Sequence, residues 1–196
     1  MPPGACGLII FAHGSGSGRL SPRNNRVAAE FRHAGLATLL LDLLTPDEEA
    51  DRRNVFDIPF LASRLEQATA WALDYTESKD LPQGYFGAST GAGAALMAAA
   101  SPHSPVVAIV SRGGRPDLAS GALPLVRAPT LLLVGGLDDA VIDLNRQAYE
   151  ALLCDKHLVM IEGAGHLFEE PGKLDEVVRH AANWFLDYMT QEPKAG

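Results

Sequence analysis

Cysteine is almost missing from this chain: Cys6 and Cys154 are its only thiols in 196 residues. They stand far apart, with neither C-x-x-C nor metal-ligand spacing, which excludes a disulfide framework and a zinc site and leaves two ordinary thiols. Basic residues are scarce as well, 16 Lys and Arg against 24 Asp and Glu, for a formal net charge of −8. A nucleic-acid partner requires clustered cations to neutralise phosphates, so that class is excluded. No internal repeat is visible. The first residues, Met1-Pro2-Pro3-Gly4-Ala5, lack the basic and apolar regions of a secretory signal, and the expected location is cytoplasmic. Charge is absent from the whole segment Leu81 to Ser111. Its prolines, Pro82, Pro102 and Pro105, and its glycines argue against a membrane span and for a buried strand-helix-strand unit.

With 47% hydrophobic residues, the chain can bury a substantial core as one domain over residues 1–196. Short apolar runs at Gly7–Ala12, Ala37–Leu43, Gly84–Ala88, Val106–Val110, Thr130–Val134 and Leu158–Ile161 predict strands. Several are apolar throughout, as in strands covered on both faces. Helical periodicity falls between them, at Asn24–Ala34, Ile58–Tyr75, Thr90–Ala100, Ile142–Leu153 and Leu174–Met189. The last places Leu174, Val177, Val178, Ala181, Trp184, Phe185 and Tyr188 on one face, a core role for the aromatics. This alternation predicts an α/β fold, a mostly parallel sheet with helices on both faces, whose ligands sit beyond the carboxyl ends of the strands.

Three motifs fall at such ends. Gly87-Ala88-Ser89-Thr90-Gly91 lies between an apolar strand and a run of small helix formers and reads as a nucleophile elbow, a sharp turn that lifts a serine hydroxyl out of the sheet. Val134-Gly135-Gly136-Leu137-Asp138-Asp139 brings a carboxylate able to orient an imidazole. Asp138 and Asp139 compete for that role, and helix capping accounts equally well for one of them. Gly163-Ala164-Gly165-His166 follows the final strand and completes the order Ser, Asp, His. A fourth segment, His13-Gly14-Ser15-Gly16-Ser17-Gly18, is a glycine-rich loop able to bring backbone N–H groups to an oxyanion. A dinucleotide site is the competing reading, with Asp42 at the end of the next strand, but the glycines are spaced G-x-G-x-G, and no Gly-Lys-Ser/Thr follows for a phosphate loop. His13 is expected to shape this loop; His33, His103, His157 and His180 have no such setting.

In this order the motifs resemble the α/β-hydrolase superfamily over nearly the whole chain. The short length and the acid after the penultimate strand, without a cap insertion, are similar to the dienelactone hydrolase-related group. The resemblance implies Ser89 as nucleophile, His166 as general base and acid, and Asp138, from the Gly-x-x-Asp spacing, as its orienter. It also implies oxyanion donors at the backbone N–H groups of Thr90 and Ser15, and the reaction needs no metal or organic cofactor. Dienelactone hydrolases carry Cys at the elbow where this chain has Ser89, which speaks against that particular substrate. The chain begins almost at the strand before the oxyanion loop, so the antiparallel N-terminal strands of the full fold are expected to be missing.

The function that follows is hydrolysis of a small soluble carboxylic ester through an acyl-enzyme, with a small-molecule partner and neither nucleic acid nor membrane. Acyl transfer to another acceptor, and a non-catalytic binding domain on the same fold, are the alternatives. Gly14, Arg19 and Arg23 are expected at the pocket, the arginines to bind a substrate carboxylate or else to pair with surface acids. The charged stretch Leu44 to Arg53 either flanks the pocket or is simply solvated.

Overall fold

A computed structural model describes residues 1–190 of the chain; positions 191–196 of the expected domain lie outside them. Six strands form one sheet: β1 (Leu8–Ala12), β2 (Ala37–Leu40), β3 (Gln83–Ala88), β4 (Val106–Arg112), β5 (Thr130–Gly135) and β6 (Lys156–Ile161). Their order is β2-β1-β3-β4-β5-β6 and every pair is parallel, so the sheet is wholly rather than mostly parallel. The helices are α1 (Pro22–His33), α2 (Pro46–Glu49), α3 (Arg52–Val55), α4 (Ile58–Asp74), α5 (Thr90–Ala99), α6 (Asp139–Ala151) and α7 (Lys173–Met189), with a 3-10 segment at Pro116–Leu125.

The unbroken apolar strands are explained by two cores. Leu8, Ile10 and Ala12 face one cluster with Tyr85, Ile109 and Leu132, covered by α4, α5 and α6. Ile9 and Phe11 face the other with Phe86, Val110 and Leu133, under α1 and α7. Successive residues of a strand point to opposite faces, so two covered faces leave no polar position.

Caps start the helices where the sequence supplies them. The Ser21 hydroxyl accepts from the Asn24 N–H ahead of α1, with Pro22 in its first turn, and the Asp57 carboxylate accepts from the Phe60 N–H at 3.0 Å ahead of α4. Thr45 and Glu48 form a reciprocal capping box on α2. α5 is built from small residues because nine of its ten are buried, which a bulkier helix could not achieve so close to the strands. Among the described residues no helix is long and apolar enough to cross a membrane; the charge-free segment is β3-α5-β4 at the centre of the fold.

The strand order positions the site. From β1 the chain steps outward to β2, then crosses back so that β3 takes the other side of β1. The loops after β1 and β3 therefore leave in opposite directions and open a crevice at the carboxyl edge.

Candidate active site

Ser89 occupies that crevice. Its backbone sits at φ 49° and ψ −125°, and among the described residues it is one of two non-glycine residues with positive φ. Such a conformation costs about 1–3 kcal/mol and persists only where its surroundings enforce it. The enforcement is visible in the flanking glycines. A Cβ at Gly91 would run into the carbonyl oxygens of Ala12 and His13, and one at Gly87 would stand 2.5 Å from the Ala92 Cα. Small residues on either side are thus what lets α5 start directly off β3.

The turns after β5 and β6 are stitched together, which brings the acid to the imidazole. The Gly136 N–H donates to the Ile161 carbonyl at 2.8 Å and the Leu137 N–H to the Ala164 carbonyl at 2.9 Å. A Cβ at Gly135 would meet the Ala164 and Gly165 oxygens at 2.5 Å. Asp138 Oδ2 then lies 2.7 Å from His166 Nδ1. Asp138 stands at the N-cap position of α6 yet makes no side-chain capping bond; its carboxylate goes to the imidazole instead. Asp139, the first residue of α6, is exposed and favours the positive helix end. The carboxylate accepts from Nδ1–H, so Nε2 is the nitrogen left with a lone pair.

Glycine-loop contacts hold the crevice's other wall. The His13 ring bridges two loops, donating through Nδ1 to the Gly14 carbonyl at 3.0 Å and accepting the Leu43 N–H on Nε2 at 3.0 Å. Gly14 is buried against the elbow, where a Cβ would come within 2.9 Å of the Ser89 Cβ. The Ser15 N–H donates to the Thr90 hydroxyl at 3.1 Å, so one of the two implied oxyanion donors already has an acceptor. Thr90 opens α5, and its own N–H lacks a partner within the helix.

Ser89, Thr90, His166, Gly14, Ser15 and Arg23 line one cavity of about 850 Å³, a volume suited to a small molecule. Arg19 is not among its lining residues. It donates through its N–H to Asp42 Oδ1 at 2.7 Å and through its guanidinium to the other oxygen. Burial raises the Asp42 pKa, but the hydrogen bonds and charge of Arg19, with His13 nearby, outweigh it and hold the carboxyl below its usual value. Arg23 pairs with Glu169. The stretch after β2 does flank the pocket, through Leu44, Pro46 and Glu49, and continues into α2 and α3.

Two residues at the site are absent from the sequence reading. Glu170 accepts the Gly165 N–H at 3.0 Å and steadies the histidine loop, which nothing in its local sequence announces. Arg112, the last residue of β4, lines the cavity while 7% exposed. The expected strand stopped two residues short of it, although it is the first charge after the charge-free segment.

No protein-family model matches the chain. A dienelactone hydrolase crystal structure from Anabaena variabilis superposes with a TM-score of 0.93 at 56% identity, covering 96% of this chain and 89% of that one. The chain belongs to the dienelactone hydrolase family of α/β-hydrolases. The esterase domain of a Rhodothermus marinus protein shares the fold of this family member at a TM-score of 0.74 and 17% identity, over 96% of this chain and 91% of that one. A Mycobacterium tuberculosis protein with the provisional name phosphoribosyl transferase is 56% identical over 183 residues. Those residues are 93% of this chain but 41% of the mycobacterial protein, so the chain spans about two fifths of that protein's length.

Proposed function

We propose that this chain is a serine hydrolase of small carboxylic esters. The observation that carries it is Ser89, held at a strained elbow, opening on the same cavity as His166, whose Nδ1 is held 2.7 Å from Asp138. Ser89 Oγ attacks the ester carbonyl while His166 Nε2 takes its proton, and the same imidazole returns that proton to the departing alkoxide. The Asp138 carboxylate stabilises the imidazolium between the two transfers. The Thr90 N–H, at the positive end of α5, faces the oxyanion. The Ser15 N–H joins it by exchanging the Thr90 hydroxyl for the substrate oxygen. Water, deprotonated by His166, then cleaves the acyl-enzyme.

The phosphoribosyl transferase name describes a protein of which this chain matches 41%, and the groups gathered here are those of acyl chemistry. Serine rather than cysteine at the elbow directs the reading to esters other than a dienelactone. The test is turnover of short-chain esters by the wild type and by Ser89→Ala. The variant should fold normally and lose about 10⁴-fold or more in kcat, keeping only what the oxyanion donors and positioning supply. Near wild-type turnover by Ser89→Ala would sink the assignment.

A further inference from the structure

A second cavity, of about 300 Å³, lies between α4, the end of α5 and the turn that leads into β4, and it shares no lining residue with the cavity of Ser89. From α4 come Glu66, Thr69, Ala70 and Leu73, three and four positions apart and so on one face of the helix. Tyr85 comes from β3 and Ser104 from the turn. The chain itself fixes that turn: the Ser104 N–H donates to the Ser101 carbonyl at 3.0 Å, and the Arg127 guanidinium bonds the Pro102 carbonyl.

The hydroxyls of this cavity are left with bonds to make. Tyr85 and Thr69 are 1% and 4% exposed, and their oxygens stand 2.6 Å apart. Two hydroxyls carry two protons, and their mutual bond uses one. Among the described residues no acceptor takes the other. Burial, against the Thr69 hydrogen bond and with the Glu66 charge adding to it, pushes the Tyr85 hydroxyl up to about 12, so the phenol keeps its proton at neutral pH. Ser104 Oγ is buried too and has no partner. Buried polar groups are hydrogen-bonded as a rule, and a leftover donor or acceptor is costly.

The charge of the cavity has one sign. Glu66 is exposed and forms no ion pair among the described residues, no Lys or Arg is in the lining, and His103 stands exposed at the surface. Leu73, Ala98 and Pro105 add apolar area. The lining therefore offers one free carboxylate, hydroxyls short of partners, and hydrocarbon.

We propose that this cavity is a second binding site, for a small aliphatic amino alcohol whose ammonium pairs with Glu66, whose hydroxyl completes the Tyr85, Thr69 and Ser104 group, and whose methylenes lie on Leu73 and Pro105. An anion of the same length meets Glu66 as a like charge, and a neutral diol forgoes the ion pair. The volume, at the lower end for ligand pockets, suits a short chain. Nothing in this site depends on the role of Ser89.

The experiment titrates nitrogen-labelled protein with terminal aminohexanol at about pH 8, where an amine is charged and an ordinary histidine is neutral, and follows the amide chemical shifts. Saturable changes are expected in α4 and in the turn before β4, with the amides of the elbow unmoved. Hexanediol and hydroxyhexanoate should bind about fivefold more weakly or worse. Glu66→Gln should erase the advantage over hexanediol, and Ser104→Ala should shrink the advantage over hexylamine. Ala70→Phe, at an exposed position of the lining, should abolish binding by filling the space. An absence of saturable change, shifts confined to the cavity of Ser89, a diol that binds as well as the amino alcohol, or a Glu66→Gln or Ser104→Ala variant that binds as wild type does overturns the proposal. The same spectra show whether each variant is folded, and the comparison of the four ligands on the wild type decides the matter if one is not.

Discussion

At the scale of single residues, the site depends on side chains diverted from their local roles. Asp138 occupies a helix N-cap position, where a carboxylate ordinarily accepts backbone N–H groups, and bonds His166 instead. Its neighbour Asp139 is exposed in the first turn of α6. Asp138→Asn is therefore expected to lower kcat by about 10²- to 10⁴-fold through the wrong imidazole tautomer, while Asp139→Asn stays within a factor of two or so. Steady-state kinetics of the two variants checks this, and the reverse ranking would move the acid one position along. Thr90 is the second such residue, since its hydroxyl takes the Ser15 N–H. Thr90→Val removes that acceptor and frees the glycine loop to drift. A kcat loss of about tenfold with little change in melting temperature is expected; an unchanged kcat would show that the loop does not need the contact.

At the scale of elements, the elbow works because α5 can approach the end of β1. Gly91→Ala forces a Cβ against the Ala12 and His13 carbonyls, backbone that cannot swing aside. Overpacking of this kind costs about 1–3 kcal/mol, and urea titration should show the loss together with reduced turnover of the folded protein. The loop after β1 is fastened to the end of β2 by Arg19 and Asp42. The Asp42 carboxyl is held below its unfolded value, so its contribution to stability is complete above about pH 3.9 and is lost as the pH falls through the folded value. The gap in urea midpoint between wild type and Asp42→Asn should therefore be open at pH 6 and close on acidification; a gap constant with pH would contradict the pairing.

All six strands and the five long helices were legible from hydrophobic pattern, because long apolar runs and wide amphipathic faces have a single way to be buried. The elements missed were α2, α3 and the 3-10 segment, four to ten residues each, which are held by caps and neighbours rather than by periodicity. The edge of β2 was overextended to Leu43, since Leu41 and Leu43 remain apolar after the pairing with β1 ends at Leu40. The three motifs carrying Ser89, Asp138 and His166 could be read from glycine spacing, which records how closely backbone must pass backbone. Arg112 could not be read in this way, because its burial at the carboxyl end of β4 and its lack of a carboxylate partner exist only in the folded chain.

At the scale of the molecule, the sheet divides the labour. Its amino-side and central layers are packed apolar matter, with Phe11, Phe31, Phe86 and Phe185 in mutual ring contact at 5.1–5.9 Å, while the carboxyl edge gathers the polar chemistry. Phe185 is fully buried and also abuts Gly84 of β3. Phe185→Ala should cost about 3–5 kcal/mol of global stability, lowering the urea midpoint, yet leave the folded fraction's kcat within a few-fold of wild type, because its ring packs on Phe31 and on Gly84 near the amino end of β3. A kcat collapse in fully folded protein would show the core and the edge to be more tightly coupled than this division implies.

The central claim is that the strained serine at the switch point is a nucleophile activated by His166. Intact-protein mass spectrometry after brief exposure to a fluorophosphonate tests it most directly. The account predicts one covalent adduct, mapped by peptide sequencing to Ser89, absent from Ser89→Ala and slowed by orders of magnitude in His166→Ala. An unmodified wild type, or an adduct on another residue that persists in Ser89→Ala, would contradict it.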